Sequence, residues 1–131
     1  MPHVRDFVDI AHAAGKTALI HMCGHVRDIL TDFKETGADG IHALTPPPTG
    51  NTEWELALDV LGEDLVIFGI LDPSIFCLEP VDNIAPALDR LYTPRLRRAN
   101  FCLWAGADGL AIPLERFEAV KRWIERQEPF A

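Results

Sequence analysis

The chain has 131 residues, 48% of them apolar and 24% charged, with 12 Lys and Arg against 20 Asp and Glu and a formal net charge of −8. That length holds one domain able to bury a substantial core, and a mean hydropathy of +0.06 with ordinary glycine and proline counts excludes a disordered tail or a fibrous repeat. The acidic balance argues against a nucleic-acid partner, because phosphate binding needs a surplus of Lys and Arg on some face.

The one basic cluster, Arg90, Arg95, Arg97 and Arg98, sits beside Pro94 and reads as a solvated turn. No stretch approaches the roughly 18 consecutive apolar residues of a membrane span, and residues 1–6 lack the basic-then-apolar order of a secretory signal. Three cysteines at wide spacing do not make a disulfide framework, so a reduced, cytoplasmic thiol set is the simplest expectation.

In chain order, two textures alternate. Val4, Phe7, Val8, Ile10 and Ala11 form a helical stripe closed by Gly15, and residues 17–23 follow as a nearly continuous apolar run. Such a run is how a strand buried on both faces reads. Val26, Ile29, Leu30 and Phe33 make the next helical stripe, stopped by Gly37. Residues 40–44 are a second strand, halted by Pro46-Pro47-Pro48. Trp54, Leu56, Ala57, Val60 and Leu61 then form a helix closed by Gly62, and residues 65–71 are the third strand, ending at Asp72-Pro73. A helix is expected over 81–91, with Pro86 marking a late start or a kink. Residues 100–104 make a fourth strand, and 114–126 the closing helix, with Phe117, Val120, Trp123 and Ile124 on one face.

One helix followed by four βα units implies parallel strands joined by helical crossovers, hence an α/β fold. An open doubly wound sheet and part of a (βα)8 TIM barrel compete. Cys23-Gly24-His25-Val26-Arg27 carries neither the GxGxxG nor the P-loop pattern. A full barrel takes about 250 residues, so this chain is expected to supply about half of one. Its opening helix has no strand before it, as though an upstream part were missing.

In both architectures ligands sit on the loops after the strands. His21 and Cys23 are two apart on a strand, so their side chains project to one face. An imidazole and a thiolate there suit Zn²⁺, whose catalytic sites keep three protein ligands and one open position. A substrate thiol in that position is held as a thiolate nucleophile. The ordinary structural alternative, a packed thiol beside a hydrogen-bonded histidine, is the commoner one for an isolated H-x-C. Cys102, on the last strand, is a candidate third ligand if the sheet curls, whereas Cys77 is expected to face a helix core. Asp72 is either an acid facing the site or, more in keeping with Pro73 after it, a helix N-cap. His42 reads as an interior histidine, His25 as a cap or a residue lining the mouth, and His3 and His12 as helix-surface residues. Trp54, Trp104 and Trp123 read as packing.

Five segments in order carry a resemblance to a known family: His21-Met22-Cys23-Gly24, residues 35–40, Thr45-Pro46-Pro47-Pro48-Thr49-Gly50-Asn51, residues 61–65, and Gly69-Ile70-Leu71-Asp72-Pro73. Together they resemble the C-terminal half of the uroporphyrinogen decarboxylase (URO-D) superfamily. It includes the decarboxylases of haem synthesis and the zinc-dependent methyltransferases that move methyl groups between corrinoid proteins and thiols such as coenzyme M. The resemblance spans nearly the whole chain and implies a partial TIM barrel. For the methyltransferase branch it implies zinc held by His21 and Cys23, with a third ligand from a Cys-bearing turn after the last strand. The turn here, residues 104–108, has no Cys, which leaves Cys102 or Asp108 as the donor. The decarboxylase branch has a Gly-His-Gly in that turn, absent here, and draws its substrate-binding arginines and catalytic aspartate from the other half. The resemblance therefore implies a methyltransferase-like enzyme with a small-molecule thiol and a corrinoid protein as partners. Uroporphyrinogen decarboxylation, with its tetrapyrrole substrate, and an incompetent half barrel are the alternatives. Two open sheet edges would be covered by a second copy or by a missing half.

Overall fold

The computed structural model describes residues 1–107 and 109–127. Helix α1 (Pro2–Ala13) leads into β1 (Leu19–His21). A 3₁₀ turn, Arg27–Ile29, then runs into α2 (Leu30–Lys34), followed by β2 (Gly40–Leu44), α3 (Trp54–Leu61) and β3 (Val66–Ile70). After β3 come the short α4 (Pro73–Cys77), a 3₁₀ turn at Val81–Asn83, α5 (Ile84–Leu91), β4 (Phe101–Trp104) and α6 (Leu114–Glu125). The four strands and five helices read from the sequence occur in the expected order, with α4 an additional short helix between β3 and the helix expected over 81–91, and all three strand pairings are parallel.

Differences from the sequence expectation have local causes. Strand β1 spans three residues rather than seven. At its start the Asp39 carboxylate takes the Ala18 N–H at 2.6 Å while also bonding His12 Nε2 at 2.9 Å. That arrangement ties α1 to the approach of β2, and the bond from Ala18, with His12 beside it, holds Asp39 below the usual carboxylate range. Of the two outcomes expected at Pro86 the late start is the one found: a 3₁₀ turn covers Val81–Asn83 and α5 begins at Ile84, which leaves Pro86 in the first turn, where N–H groups have no intrahelical partner. The basic turn is not simply solvated. Arg95 is only one-third exposed and pairs with Asp59 at 2.6 Å and Glu63 at 2.8 Å, which raise its already high pKa.

The four strands lie in the order β1-β2-β3-β4, with no reversal. Registration creates rows across the sheet. Ile20, Ile41, Ile67 and Phe101 are mutual partners in one row. This row faces the helices: Ile41 and Ile67 are fully buried in a core that also takes Phe33, Trp54 and Leu58. A second core, around Phe76, Ile84, Leu88 and Trp123, lies under α4, α5 and α6. The neighbouring row, His21, His42, Phe68 and Cys102, points to the opposite face. Leu19, Val66, Phe68 and Cys102 belong to neither core, and Leu19 is 48% exposed. One sheet face is thus packed under helices, and among the described residues no helix covers the other.

Two glycines explain how the carboxyl ends of the strands are shaped. A Cβ at Gly69 would stand 2.6 Å from Trp54 and 2.4 Å from Phe101, whose rings meet over it at 4.9 Å between centroids. A Cβ at Gly50 would meet the Thr45 carbonyl at 2.0 Å, so the Thr45–Gly50 turn closes only around glycine. This turn contains a cis Pro47–Pro48 bond and returns to β2 through Thr52 N–H to Thr45 O at 3.2 Å. Among the described residues, no helix is long and apolar enough to cross a membrane.

Candidate functional site

The turns that follow the strands converge on a cavity of about 550 Å³ whose wall includes His21, Cys23, Thr45, Thr49 and Trp104. It lies at the carboxyl ends of the parallel strands, where α/β folds place ligands. The described residues lining it include no Asp, Glu, Lys or Arg. The described lining presents an imidazole, a thiol and an indole among apolar and hydroxyl groups.

His21 and Cys23 share this wall, as their spacing on one strand face predicts. Cys23 is exposed to solvent. The side chain nearest His21 that matters most is His42. Their Nδ1 atoms lie 2.9 Å apart, one ring donating its N–H to the other. Register causes this contact, since His21 and His42 are direct partners across β1 and β2. The His42 ring is held on its other sides by Trp104, at 4.7 Å between centroids, and Phe68, at 5.4 Å. Trp104 is thus a wall of the cavity as well as a packing residue, unlike Trp54 and Trp123, which are buried in the two cores.

Beyond His42, β2 is irregular. Its pairing with β3 shifts between His42 and Leu44, and Ala43 takes a left-handed φ of 66°. This bulge re-aims the strand end, placing Ala43 and Thr45 on the cavity wall. Thr45 has its hydroxyl committed to the Ala43 carbonyl at 2.9 Å.

Asp72 is fully buried and takes the N-cap position of α4. Its Oδ1 accepts the Ser74 N–H at 2.8 Å and the Ser74 hydroxyl at 2.6 Å. Its Oδ2 accepts the Thr49 N–H at 2.8 Å and the Thr49 hydroxyl at 2.6 Å. Burial acting alone would raise its pKa, but these four bonds outweigh it and hold the carboxyl below the usual range. Both oxygens are occupied, and Asp72 reaches the cavity only through its neighbours Thr49 and Pro73.

Cys102 is exposed on the bare face, three strands from His21 and outside the described lining of the cavity. Asp108 lies outside the described residues. His25 is exposed and does not line the cavity. Cys77 packs against the second core, where burial pushes its thiol pKa up against the lowering effect of Arg116. Among the described residues, no three His, Cys, Asp or Glu side chains stand together as a metal site. His21 and Cys23 do place one nitrogen and one sulfur donor on a shared wall, two donor types that zinc among other metals accepts.

Read from the sequence as an interior histidine, His42 is half-buried and hydrogen-bonded, but its partner, His21 of the neighbouring strand, was not foreseen. The signal was present as a repeated Ile-His dipeptide, Ile20-His21 and Ile41-His42, at matching positions of adjacent strands. Comparison with known proteins adds no relative: no family model, no curated protein and no solved structure matches the chain.

Proposed function

We propose that the chain is a URO-D-like half of a (βα)8 barrel whose cavity binds zinc through His21 and Cys23 and activates a small-molecule thiol for methyl transfer with a corrinoid protein. The observation that carries this reading is the shared placement of His21 and Cys23 in one cavity, at the carboxyl ends of four parallel strands, whose described lining residues include no Asp, Glu, Lys or Arg. The unreversed strand order and the bare sheet face support the barrel side of the reading, because a doubly wound sheet reverses its order and carries helices on both faces.

Zinc, when bound, lowers the pKa of a coordinated thiol and keeps it as a thiolate. His21 and Cys23 offer one nitrogen and one sulfur donor to it. Ile70 and Trp104 give the cavity an apolar wall that seats the hydrocarbon part of a thiol and limits water. Thr45 and Thr49 have their hydroxyls engaged with Ala43 and Asp72, so they shape the cavity rather than donate into it. An acidic tetrapyrrole finds no counter-charge among the described lining residues, which favours the thiol over decarboxylation of a porphyrinogen.

Metal analysis of the purified protein, with its mass in solution, tests the proposal. About one zinc per chain or per dimer is expected. Cys23→Ala should abolish binding and Cys77→Ala should leave it intact. No zinc after loading, or equal loss in both variants, sinks the zinc reading. A second reading, a half barrel that acts only when completed, is favoured by the two unpaired edges of β1 and β4 beside the bare face. It predicts a dimer or a complex with a second half, and a metal-free monomer carrying the thiol-methylating activity would refute it.

A further inference from the structure

We propose that a second cavity, at the amino end of β4, binds a small phosphate monoester through Arg97 and Arg98, with Tyr92 and Trp123 seating its organic part. The site is independent of the cavity around His21 and Cys23, which lies at the carboxyl ends of the same parallel strands.

Its origin is the basic run Arg95-Leu96-Arg97-Arg98, which the turn between α5 and β4 splits into two roles. The Arg97 N–H donates to the Thr93 carbonyl at 3.2 Å, and the Arg98 and Ala99 N–H groups both return to the Arg95 carbonyl. This single coil sends Leu96 into the first core and Arg95 to α3, where Asp59 and Glu63 hold it. Arg97 and Arg98 are left to line a cavity of about 500 Å³, completed by the carboxyl ends of α5 and α6. Such a volume is that of a small-molecule site and exceeds what an inorganic ion fills.

Charge selects the ligand class. Arg95 has three carboxylates at ion-pair distance, Glu55, Asp59 and Glu63. Among the described residues Arg97 and Arg98 have none, in a chain of net charge −8. Asp89 is the one carboxylate in the described lining, and its Oδ1 accepts the Trp123 indole N–H at 2.7 Å. The described lining therefore carries two positive charges against one negative. A phosphate monoester brings close to two negative charges and three terminal oxygens, enough for both guanidinium forks. A carboxylate occupies a single fork and neutralises a single charge.

The groups are also held in place. Arg97 is half-buried, with its guanidinium carbon 5.9 Å from the Tyr92 ring centroid and Nη2 donating to Gln127 Oε1. A guanidinium has five N–H donors, so this bond leaves Arg97 free to bind an anion. Tyr92 meets the buried Trp123 edge-on, with 5.3 Å between centroids. Burial pushes the Tyr92 phenol up against the lowering effect of Arg97, so its hydroxyl stays a donor. Fixing these side chains in advance lowers the ordering cost of binding.

The test is calorimetric titration of the full chain, near about pH 8 where the ester is a dianion, with phenyl phosphate, inorganic phosphate and benzoate. Wild type is compared with Arg97→Gln, Arg98→Gln and Arg90→Gln, the last removing the same charge from an exposed position outside the described lining. Thermal melts check each variant, and Arg97→Lys, which keeps the charge but not the fork, serves if Arg97→Gln does not fold. Expected is saturable binding of one phenyl phosphate per chain, weakened about 10-fold or more in Arg97→Gln and in Arg98→Gln and unchanged in Arg90→Gln. Arg97→Lys should show a smaller loss. Inorganic phosphate should bind more weakly than its phenyl ester, and benzoate about 10-fold more weakly or worse. Absence of saturable binding, or equal binding by the Arg97 and Arg98 variants, overturns the site. An equal loss in Arg90→Gln also overturns it, by showing diffuse charge attraction. Benzoate binding as tightly as phenyl phosphate overturns the phosphate assignment, and inorganic phosphate doing so overturns the role of the rings. None of these outcomes bears on the zinc reading.

Discussion

Replacing Asp72 separates a positioning role from a catalytic one, because the structure sets the size of the structural effect. The carboxylate is buried and accepts two backbone N–H groups and two hydroxyls. In Asp72→Ala the Thr49 and Ser74 hydroxyls can rotate to other acceptors, but their N–H groups cannot. The Ser74 N–H bond is the helix cap, whose loss costs about 0.5–2 kcal/mol, and the stranded Thr49 N–H costs about 1–3 kcal/mol, so the variant should lose roughly 1.5–5 kcal/mol. For a chain of this length about 1 kcal/mol moves Tm by about 4 °C, which makes the expected drop roughly 6–20 °C. Asp72→Asn keeps one oxygen but turns an NH₂ toward an N–H, and should lose about 2 kcal/mol. Urea unfolding of the three proteins near pH 7 measures these differences. The pH dependence has a defined sign. Because the folded pKa is lowered, the carboxylate's contribution is fully present above the unfolded carboxyl range near about pH 4 and disappears as pH falls through the lower folded value. The gap between wild type and Asp72→Asn should therefore narrow on acidification. An Asp72→Asn protein that unfolds like wild type at every pH, yet loses the methyl transfer proposed above, would refute the positioning assignment and restore Asp72 as a candidate catalytic acid.

Two further substitutions probe the elements that shape the cavity. Gly69→Ala should destabilise by about 1–3 kcal/mol in thermal melts, because its methyl enters the Trp54–Phe101 contact; a neutral or stabilising result would mean that the rings have room. Adding Phe101→Leu to Gly69→Ala should recover part of that loss, measured as a double-mutant cycle. Ala43→Gly should change stability by less than about 0.5 kcal/mol, since relief of its left-handed backbone offsets the lost methyl burial. Ala57→Gly, equally buried but helical, should cost about 2 kcal/mol by the same denaturation assay, and equal costs at the two positions would remove the strain argument.

Sequence alone determined the parts of this protein that depend on neighbours along the chain. Alternation of helical stripes with short apolar runs located four strands and their helices, and crossovers of that length require parallel pairing. Asp72-Pro73 announced a helix start, and Gly62 a helix end, because capping involves residues only one to three positions apart. His21 and Cys23 were legible as a same-face pair for the same reason. Tertiary structure decided what depends on register. Whether residue 21 meets residue 42, whether Thr49 reaches Asp72, and whether Trp54 closes on Phe101 over Gly69 all turn on contacts more than 20 residues apart. No local propensity specifies these. A one-residue slip would have sent His42 to the helix side and buried it, as its reading from sequence expected. Likewise the apolar texture of Phe68 and Leu19 could not tell which sheet face the helices would cover, since hydrophobic runs record burial without naming what does the burying. That decision belongs to the packing of α1 through α6, and it left the row with His21 and His42 on the open side.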